Sequence, residues 1–450
     1  MWMRAVLCAL LFFISACGGS DDPAPATTTS SQPPAQQPPS TNPPATNPPT
    51  TNPPPTGGPA GPWPTADLAV YASGQGLTGT VIDASPDDAQ NIWAVTPDAL
   101  YVLRPGQATF RRYTAGDGLH VQTYTDPATG QVTVSNITAM TGGHGNEVFV
   151  GYRGFEGTIP PPAPPPCCVP NADFSDPRWH LGQADKVTLN ADGTIGVRRY
   201  EFICDASFNC WEERSARRMV FGHSGTAAGH LFIGFDHGVV HVANDTWGDH
   251  IHVETHWHFP DGSVVTKQGE QYGLAIFPNG DLLTASEYGV GRQSWNADPK
   301  AWVLGPFVWA LTTFGPAEPY NLGPHTLDVP SEYREKNLGA AITPDGTSWW
   351  VSSTTGLSSY TSGDFSNTAH YTNVSGLPAS GLIDIAADPD GSLWIVDSNG
   401  RLLRFTPSTS TVQVWPGVSN VRRVVVDPTV TPRAVYVSMG GQGLAVIRAR

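Results

Sequence analysis

"LIDIAADPDGSLWIVDSNGRLLRF" (382–405) holds the unit from which the chain is built. An apolar run (382–387) meets a polar turn, Asp388-Pro389-Asp390-Gly391. A second run (393–396) carries Trp394, and a turn through Asn399-Gly400 leads into a third run (402–405). Short apolar runs bounded by Asp, Asn, Gly and Pro read as strands joined by tight turns. The same order returns in six other stretches. They are "VIDASPDDAQNIWAVTPDALYVL" (81–103), "NITAMTGGHGNEVFVGYRGFEG" (136–157), "MVFGHSGTAAGHLFIGFDHGVVHV" (219–242), "GLAIFPNGDLLTASEYGVGR" (273–292), "AAITPDGTSWWVSSTTGLSSY" (340–360) and "VVVDPTVTPRAVYVSMGGQGLAVI" (424–447). Each reads as three strands, and a fourth run often follows, as in "ATFRRYT" (108–114) and "TVQVW" (411–415).

A four-stranded unit repeated seven times predicts an all-β fold, a seven-bladed β-propeller over 67–450. Repeat starts near Ile82, Ile137, Met219, Leu274, Ala341, Ile383 and Val424 are 55, 82, 55, 67, 42 and 41 residues apart. The short spacings fit a bare blade of about 40–45 residues. The long ones require insertions, of which "TIPPPAPPPCCVPNADFSDPRW" (158–179) is the clearest. No run has the period of a long amphipathic helix. The last repeat ends at its third strand, whereas "DLAVYASGQGL" (67–77) resembles the fourth-strand segments "FRRYTAGDGL" (110–119) and "AHYTNVSGL" (369–377). The N-terminal strand is therefore expected to complete the last blade and to cover an otherwise open sheet edge.

The sequence "GDGL" (116–119), the "DPDGSLW" turn and strand (388–394) and the Gly-Leu steps that follow them resemble the two-component-regulator propeller repeat, a seven-bladed sensor-type module. The resemblance spans 67–450, with its best matches at 81–119 and 369–405. It implies the fold; in that family the propeller often precedes a membrane-spanning helix and a kinase, and neither follows the seventh repeat here.

The first 17 residues, "MWMRAVLCALLFFISAC", place Arg4 before an apolar stretch and end in Ile14-Ser15-Ala16-Cys17, which resembles the bacterial lipobox. Residues 1–16 then form a lipoprotein signal peptide, and Cys17 takes the lipid. An ordinary signal peptide ending near a cysteine is the plainer alternative. Three acyl chains exceed the two signals that stable anchoring needs. Gly18 rather than Asp follows the cysteine, which points to the outer membrane. Residues 17–66 form a Pro/Thr/Asn-rich linker. Its 23–66 segment has no charge and 16 prolines, with "TNPP" three times over. Such a tract buries no core and extends, at about 3.1 Å per residue, to a reach above ~100 Å.

The remaining 384 residues contain four lysines, and the whole chain carries a net charge of −15. That balance argues against nucleic acid and against electrostatic docking on anionic lipid. Cys167, Cys168, Cys204 and Cys210 are the disulfide candidates in an exported protein. A Cys204–Cys210 ring would leave a strained vicinal Cys167–Cys168 bridge. Crossed pairing, which staples the Pro-rich insertion, is favoured over it and over a four-cysteine metal site.

Eight of the 13 histidines fall between 223 and 258. On a single strand, His250, His252, Glu254, His256 and His258 share one face and offer a zinc-type ligand set. That strand is expected on the rim of the third blade, where a solvated polar face opposite a packed apolar one is the favoured explanation. The channel mouth is the preferred site. Its turns offer Asp98, Arg153, Glu156, Asp236, His237, Glu287, Tyr288 and Asp397; its incoming loops offer His120, Lys267, Glu270, Lys336 and Asn337. From these, Asp236, His237, Glu270, Glu287, Asn337 and Asp397 are the ligand-binding candidates. Their carboxylates suit calcium; zinc on the rim histidines is the second choice. No G-x-S-x-G, H-E-x-x-H or Walker motif occurs, and no catalytic residue is assigned. The reading that results is a monomeric, lipid-anchored, non-catalytic binding module of the cell envelope for a protein, peptide or glycan. A calcium-dependent lactonase- or lyase-like enzyme is the alternative.

Overall fold

The computed structural model describes residues 66–156, 175–202, 214–236, 238–252, 254–258, 264–268, 270–286, 290–293, 337–361, 369–427, 429–430 and 433–449. All lie within Gly57–Arg450, one compact unit. Seven antiparallel sheets follow one another along the chain. Blade 1 comprises Asp83–Pro86, Ile92–Thr96, Ala99–Leu103 and Arg111–Tyr113. Blade 2 comprises Ile137–Gly142, Glu147–Tyr152, Ala184–Leu189 and Ile195–Tyr200. Blade 3 runs through Arg218–Phe221, His230–Gly234, Gly238–Ala243 and Thr246–His252. Three strands are described for blade 4: Gln271–Ile276, Leu282–Ser286 and Val290–Gln293. Blade 5 has Asn337–Ile342, Ser348–Ser352, Gly356–Tyr360 and Ala369–His370. Blade 6 has Leu382–Ala387, Leu393–Asp397, Leu402–Thr406 and Thr411–Val414.

Blade 7 is built from both ends of the described chain. Arg423–Asp427, Ala434–Ser438 and Leu444–Ala449 are joined by Ala66–Tyr71, which pairs along its whole length with the last of them, from Ala66 opposite Ala449 to Tyr71 opposite Leu444. The first strand of every blade packs against the first strands of its two neighbours, and blade 7 packs against blade 1, so the inner ring is closed.

The core lies between blades. One cluster joins blade 1 residues such as Tyr101 to blade 7 residues such as Tyr436; the next joins Trp93 of blade 1 to Val148 of blade 2. Further clusters bind blades 2 to 3, 5 to 6 and 6 to 7. Second strands are buried on both faces, which is why "IWAV" and "LWIV" are continuous apolar runs rather than alternating ones. The turn before each tryptophan is tied to it. Trp93 Nε1 donates to Asp87 at 2.7 Å and Trp394 Nε1 to Asp388 at 3.1 Å, while Trp349 Nε1 donates to Thr343 Oγ1 at 3.1 Å. Each tie spans six residues, so it gives physical meaning to the repeated Asp…Trp spacing. Burial pushes Asp87 and Asp388 upward, against the hydrogen bonds from their tryptophans. Blades also meet backbone to backbone: a Cβ on Gly142 would lie 1.8 Å from the carbonyl oxygen of Pro86.

Two expectations need correction. The third strand of blade 2 is not in 153–157 but at Ala184–Leu189, beyond the Pro-rich insertion. The histidine-rich stretch is not one strand. His250 and His252 lie on the outermost strand of blade 3, whereas Glu254, His256 and His258 lie on Glu254–His258, which pairs with Val264–Gln268 in a separate sheet. The five residues therefore do not lie on one strand. A second small hairpin, Thr123–Thr125 with Val132–Val134, sits in the connection from blade 1 to blade 2. Among the described residues, no helix is long and apolar enough to cross a membrane.

Candidate functional site

Antiparallel order places the starts of the first strands, the turns from second to third strand and the incoming loops at one end of the ring. That end is the mouth. Arg217, immediately before the first strand of blade 3, is its hub. Its Nε donates to Asp236 Oδ1 at 3.1 Å, its Nη2 pairs with Glu270, and Glu156 Oε1 lies 3.8 Å away. Asp236 also accepts from the Ser215 backbone N–H at 3.2 Å. Glu156 is held in turn by Arg153, whose Nε donates to it at 2.8 Å. Three carboxylates from the blade 2 and blade 3 turns and the loop entering blade 4 thus converge on one guanidinium. Arg153 holds Glu156 below the usual carboxylate range. Burial pushes Asp236 above it, and the neighbouring Glu270 charge adds to the rise while Arg217 opposes it.

Below the mouth the channel is bridged. Arg218 reaches from blade 3 to blade 6, where its Nη1 donates to Asp384 Oδ1 at 2.9 Å. Blades 3 and 6 are not neighbours, so this bond crosses the channel. Asp384 Oδ2 also accepts from the Val424 N–H at 2.9 Å, and Arg423 Nη1 lies 3.8 Å from Oδ1, the oxygen that Arg218 holds. Arg423 Nη2 in turn donates to the Arg217 carbonyl at 3.4 Å, a second crossing from blade 7 to blade 3. Asp83 of blade 1, whose Oδ1 accepts from the Ala84 N–H at 2.9 Å, feels the Arg218 charge as well. Burial raises both Asp83 and Asp384 from 3.8 to about 6; Arg218 opposes the rise, and for Asp384 the Asp83 charge adds to it.

The anticipated mouth residues divide. Asp236 and Glu270 come together on Arg217, with Arg153 and Glu156 beside them. Asn337 is fully buried and donates to the Ser286 carbonyl at 2.9 Å, fastening blade 5 to blade 4. Asp397 is buried in its own turn, where it accepts from the N–H groups of Asn399 and Arg401 and from Arg401 Nε at 2.6 Å. Asp98 pairs at the surface with Arg112 at 2.7 Å. His237, Glu287, Tyr288, Lys336, Cys17 and the disulfide candidates Cys167, Cys168, Cys204 and Cys210 lie outside the described residues. Among the described residues, no group of three or more His, Cys, Asp or Glu is arranged to hold a metal ion.

The residues that sequence reasoning passed over are Arg217, Arg218, Arg423, Asp83 and Asp384. A signal was present: "RRMVF" and "RRVVV" open blades 3 and 7, and "ID" stands in the first strands of blades 1 and 6. A charge inside an apolar run, at the same place in several repeats, marks the channel wall.

The closed ring and the blade-by-blade pairing define the chain as a seven-bladed β-propeller. No protein-family model matches it, and no curated protein is similar to it. Solved structures that it resembles include YCF48 bound to D1 peptide, at 13% identity and a TM-score of 0.48, covering 87% of this chain and 97% of that one. Virginiamycin B lyase from Staphylococcus aureus matches at 9% identity and a TM-score of 0.47, covering 85% and 99%. PorZ, a surface component of the type-IX secretion system of Porphyromonas gingivalis, matches at 10% identity and a TM-score of 0.46, covering 85% of this chain and 38% of that one.

Proposed function

We propose that the chain is a sensor-type propeller lipoprotein, anchored through Cys17 in the outer membrane, whose channel mouth is a non-catalytic binding surface for a polar protein, peptide or glycan. The Pro-rich 17–66 segment would hold the propeller away from the lipid. The observation that carries the reading is the set on Arg217. Its guanidinium and three carboxylates gather donors and acceptors of both signs in one half-buried patch, while the Arg218–Asp384 bridge crosses the channel below. A partner that exchanges hydrogen bonds with this patch gains orientation and specificity from it.

The test uses the full chain carrying Cys17→Ser, incubated with solubilised envelope extract, beside the same chain with Arg217→Glu. A partner retained by the first and lost by the second, with both proteins equally folded, supports the mouth; equal retention removes it. Separately, Cys17→Ser should abolish lipid labelling and release the chain to the soluble fraction. Asp236 beside Glu270 gives the alternative, a calcium-dependent lactonase- or lyase-like site, its one specific support. There the ion would compete with Arg217 for both carboxylates. A clear rise in melting temperature with calcium favours that site.

A further inference from the structure

The third-strand residue that pairs with the fourth residue of the second strand is apolar in six blades: Leu100, Val240, Val290, Leu357, Leu402 and Ala445. In blade 2 it is Asp185, opposite Val150 and wholly buried. A carboxylate in a layer of aliphatic side chains is costly unless it is compensated. Here it is surrounded by polar groups. Tyr152 donates its hydroxyl to Asp185 Oδ2 at 2.6 Å, and the His120 backbone N–H donates to the same oxygen at 3.2 Å. His120 Nδ1 lies 2.7 Å from Oδ1, and Arg199 Nη1 lies 3.5 Å from it. Burial keeps the Tyr152 hydroxyl protonated far beyond its ordinary range, so it remains a donor.

His120 is delivered by the left-handed turn at Gly118, the end of "GDGL". The same Gly-Leu step is followed by Thr78 before blade 1 and by Pro378 before blade 6, so the imidazole is particular to the joint between blades 1 and 2. Its side chain is 29% exposed, yet Nδ1 is shielded, so the exposure lies elsewhere on the side chain. Nδ1, Asp185 Oδ1 and Arg199 Nη1 are close without making an aligned hydrogen bond. Buried polar atoms in that condition call for a cause, and catalytic contacts in a free enzyme often align only when substrate is bound.

We propose that His120 is a general base at the mouth-end rim, with Asp185 as its positioning residue, acting on small carboxylic esters. In its base form the ring keeps its one proton on Nδ1, facing the carboxylate, and presents its lone pair on Nε2. Nε2 takes a proton from water as the water oxygen attacks the ester carbonyl carbon. The imidazolium returns that proton to the departing alkoxide as the acyl C–O bond breaks, and acid and alcohol leave. This activity goes beyond the binding role of the mouth and does not depend on it.

The experiment follows hydrolysis of 4-nitrophenyl acetate by the full chain, with His120→Gln, Asp185→Asn and His144→Gln, an exposed histidine at the opposite end of the ring. The expected result is a fall in kcat/KM of at least about a hundredfold for His120→Gln, the low end of the span of a general base, and no change for His144→Gln. Asp185→Asn should lower kcat with KM kept. At a pH alkaline enough to deprotonate the imidazolium, nitrogen-15 spectra should show the remaining ring proton on Nδ1. A His120→Gln rate within about twofold of the unmodified chain, or a proton on Nε2, overturns the proposal. If Asp185→Asn does not fold, the more exposed His120→Gln decides alone, and unchanged partner capture in that variant separates this site from the mouth.

Discussion

Asp83→Asn probes the channel most sharply, because it removes a buried charge and little volume. The rise of the Asp83 carboxyl from 3.8 to about 6 means that burial penalises its charged form. At roughly 1.4 kcal/mol for each tenfold change in proton affinity, the penalty is about 3 kcal/mol once the group is ionised. The sign follows from linkage. A carboxyl raised in the folded state contributes fully while both states are protonated, below 3.8, and loses that contribution as pH climbs through about 6. Asparagine does not titrate. The stability of the variant minus that of the parent should therefore grow by about 3 kcal/mol between about pH 3 and pH 7. The neighbouring Asp384 should also become more acidic, since the Asp83 charge now contributes to its rise. Urea unfolding at a series of pH values measures the first effect, and carboxyl-carbon NMR titration measures the second. A difference in stability that stays flat across this range would show that Asp83 is not buried beside Asp384, and the channel description would fall with it.

Trp394→Phe strips the donor from Asp388 and leaves a buried carboxylate short of one bond; the loss should be about 1–3 kcal/mol by denaturant titration. Gly142→Ala forces a methyl against the Pro86 carbonyl and should lower the melting temperature by an amount corresponding to at least about 1–3 kcal/mol. Deleting 66–71 uncovers the Leu444–Ala449 edge and should cause concentration-dependent aggregation in light scattering. Arg217→Met leaves Asp236 and Glu270 facing each other without their cation, so the Asp236 carboxyl should titrate at higher pH, read by the same NMR method.

The blades were legible because each second strand is buried on both faces and each turn must carry Asp, Gly or Asn. Those two demands are local, and they recur at a fixed spacing. The closing strand was legible for the same reason, since 67–71 must look like any other fourth strand. Blade 2 was misplaced because its insertion separates Tyr152 from Ala184, and no local pattern spans that gap. The site was less visible. Asp236 and Glu270 were found as turn polar groups, but Asn337 and Asp397 are of the same kind and serve the frame, one on Ser286 and the other on its own turn. A polar residue in a turn does not announce whether it faces solvent or its own backbone. The channel charges sat inside apolar runs, where only alignment of one repeat upon another sets Asp83 beside Asp384. Asp185 is the plainest instance: by itself it is an acid after a loop, and only the register shows it where other blades place an aliphatic side chain.

The central claim is that partners meet the mouth end of the ring. In-cell crosslinking tests it most directly, with a photoreactive residue in place of Glu156 at the mouth and, in a second strain, in place of Asp192 in an exposed turn at the opposite end. The account predicts a discrete higher-mass adduct from position 156 that disappears when Arg217→Glu is added, and none from position 192. Adducts from position 192 alone, or adducts from 156 that persist with Arg217→Glu, would contradict it.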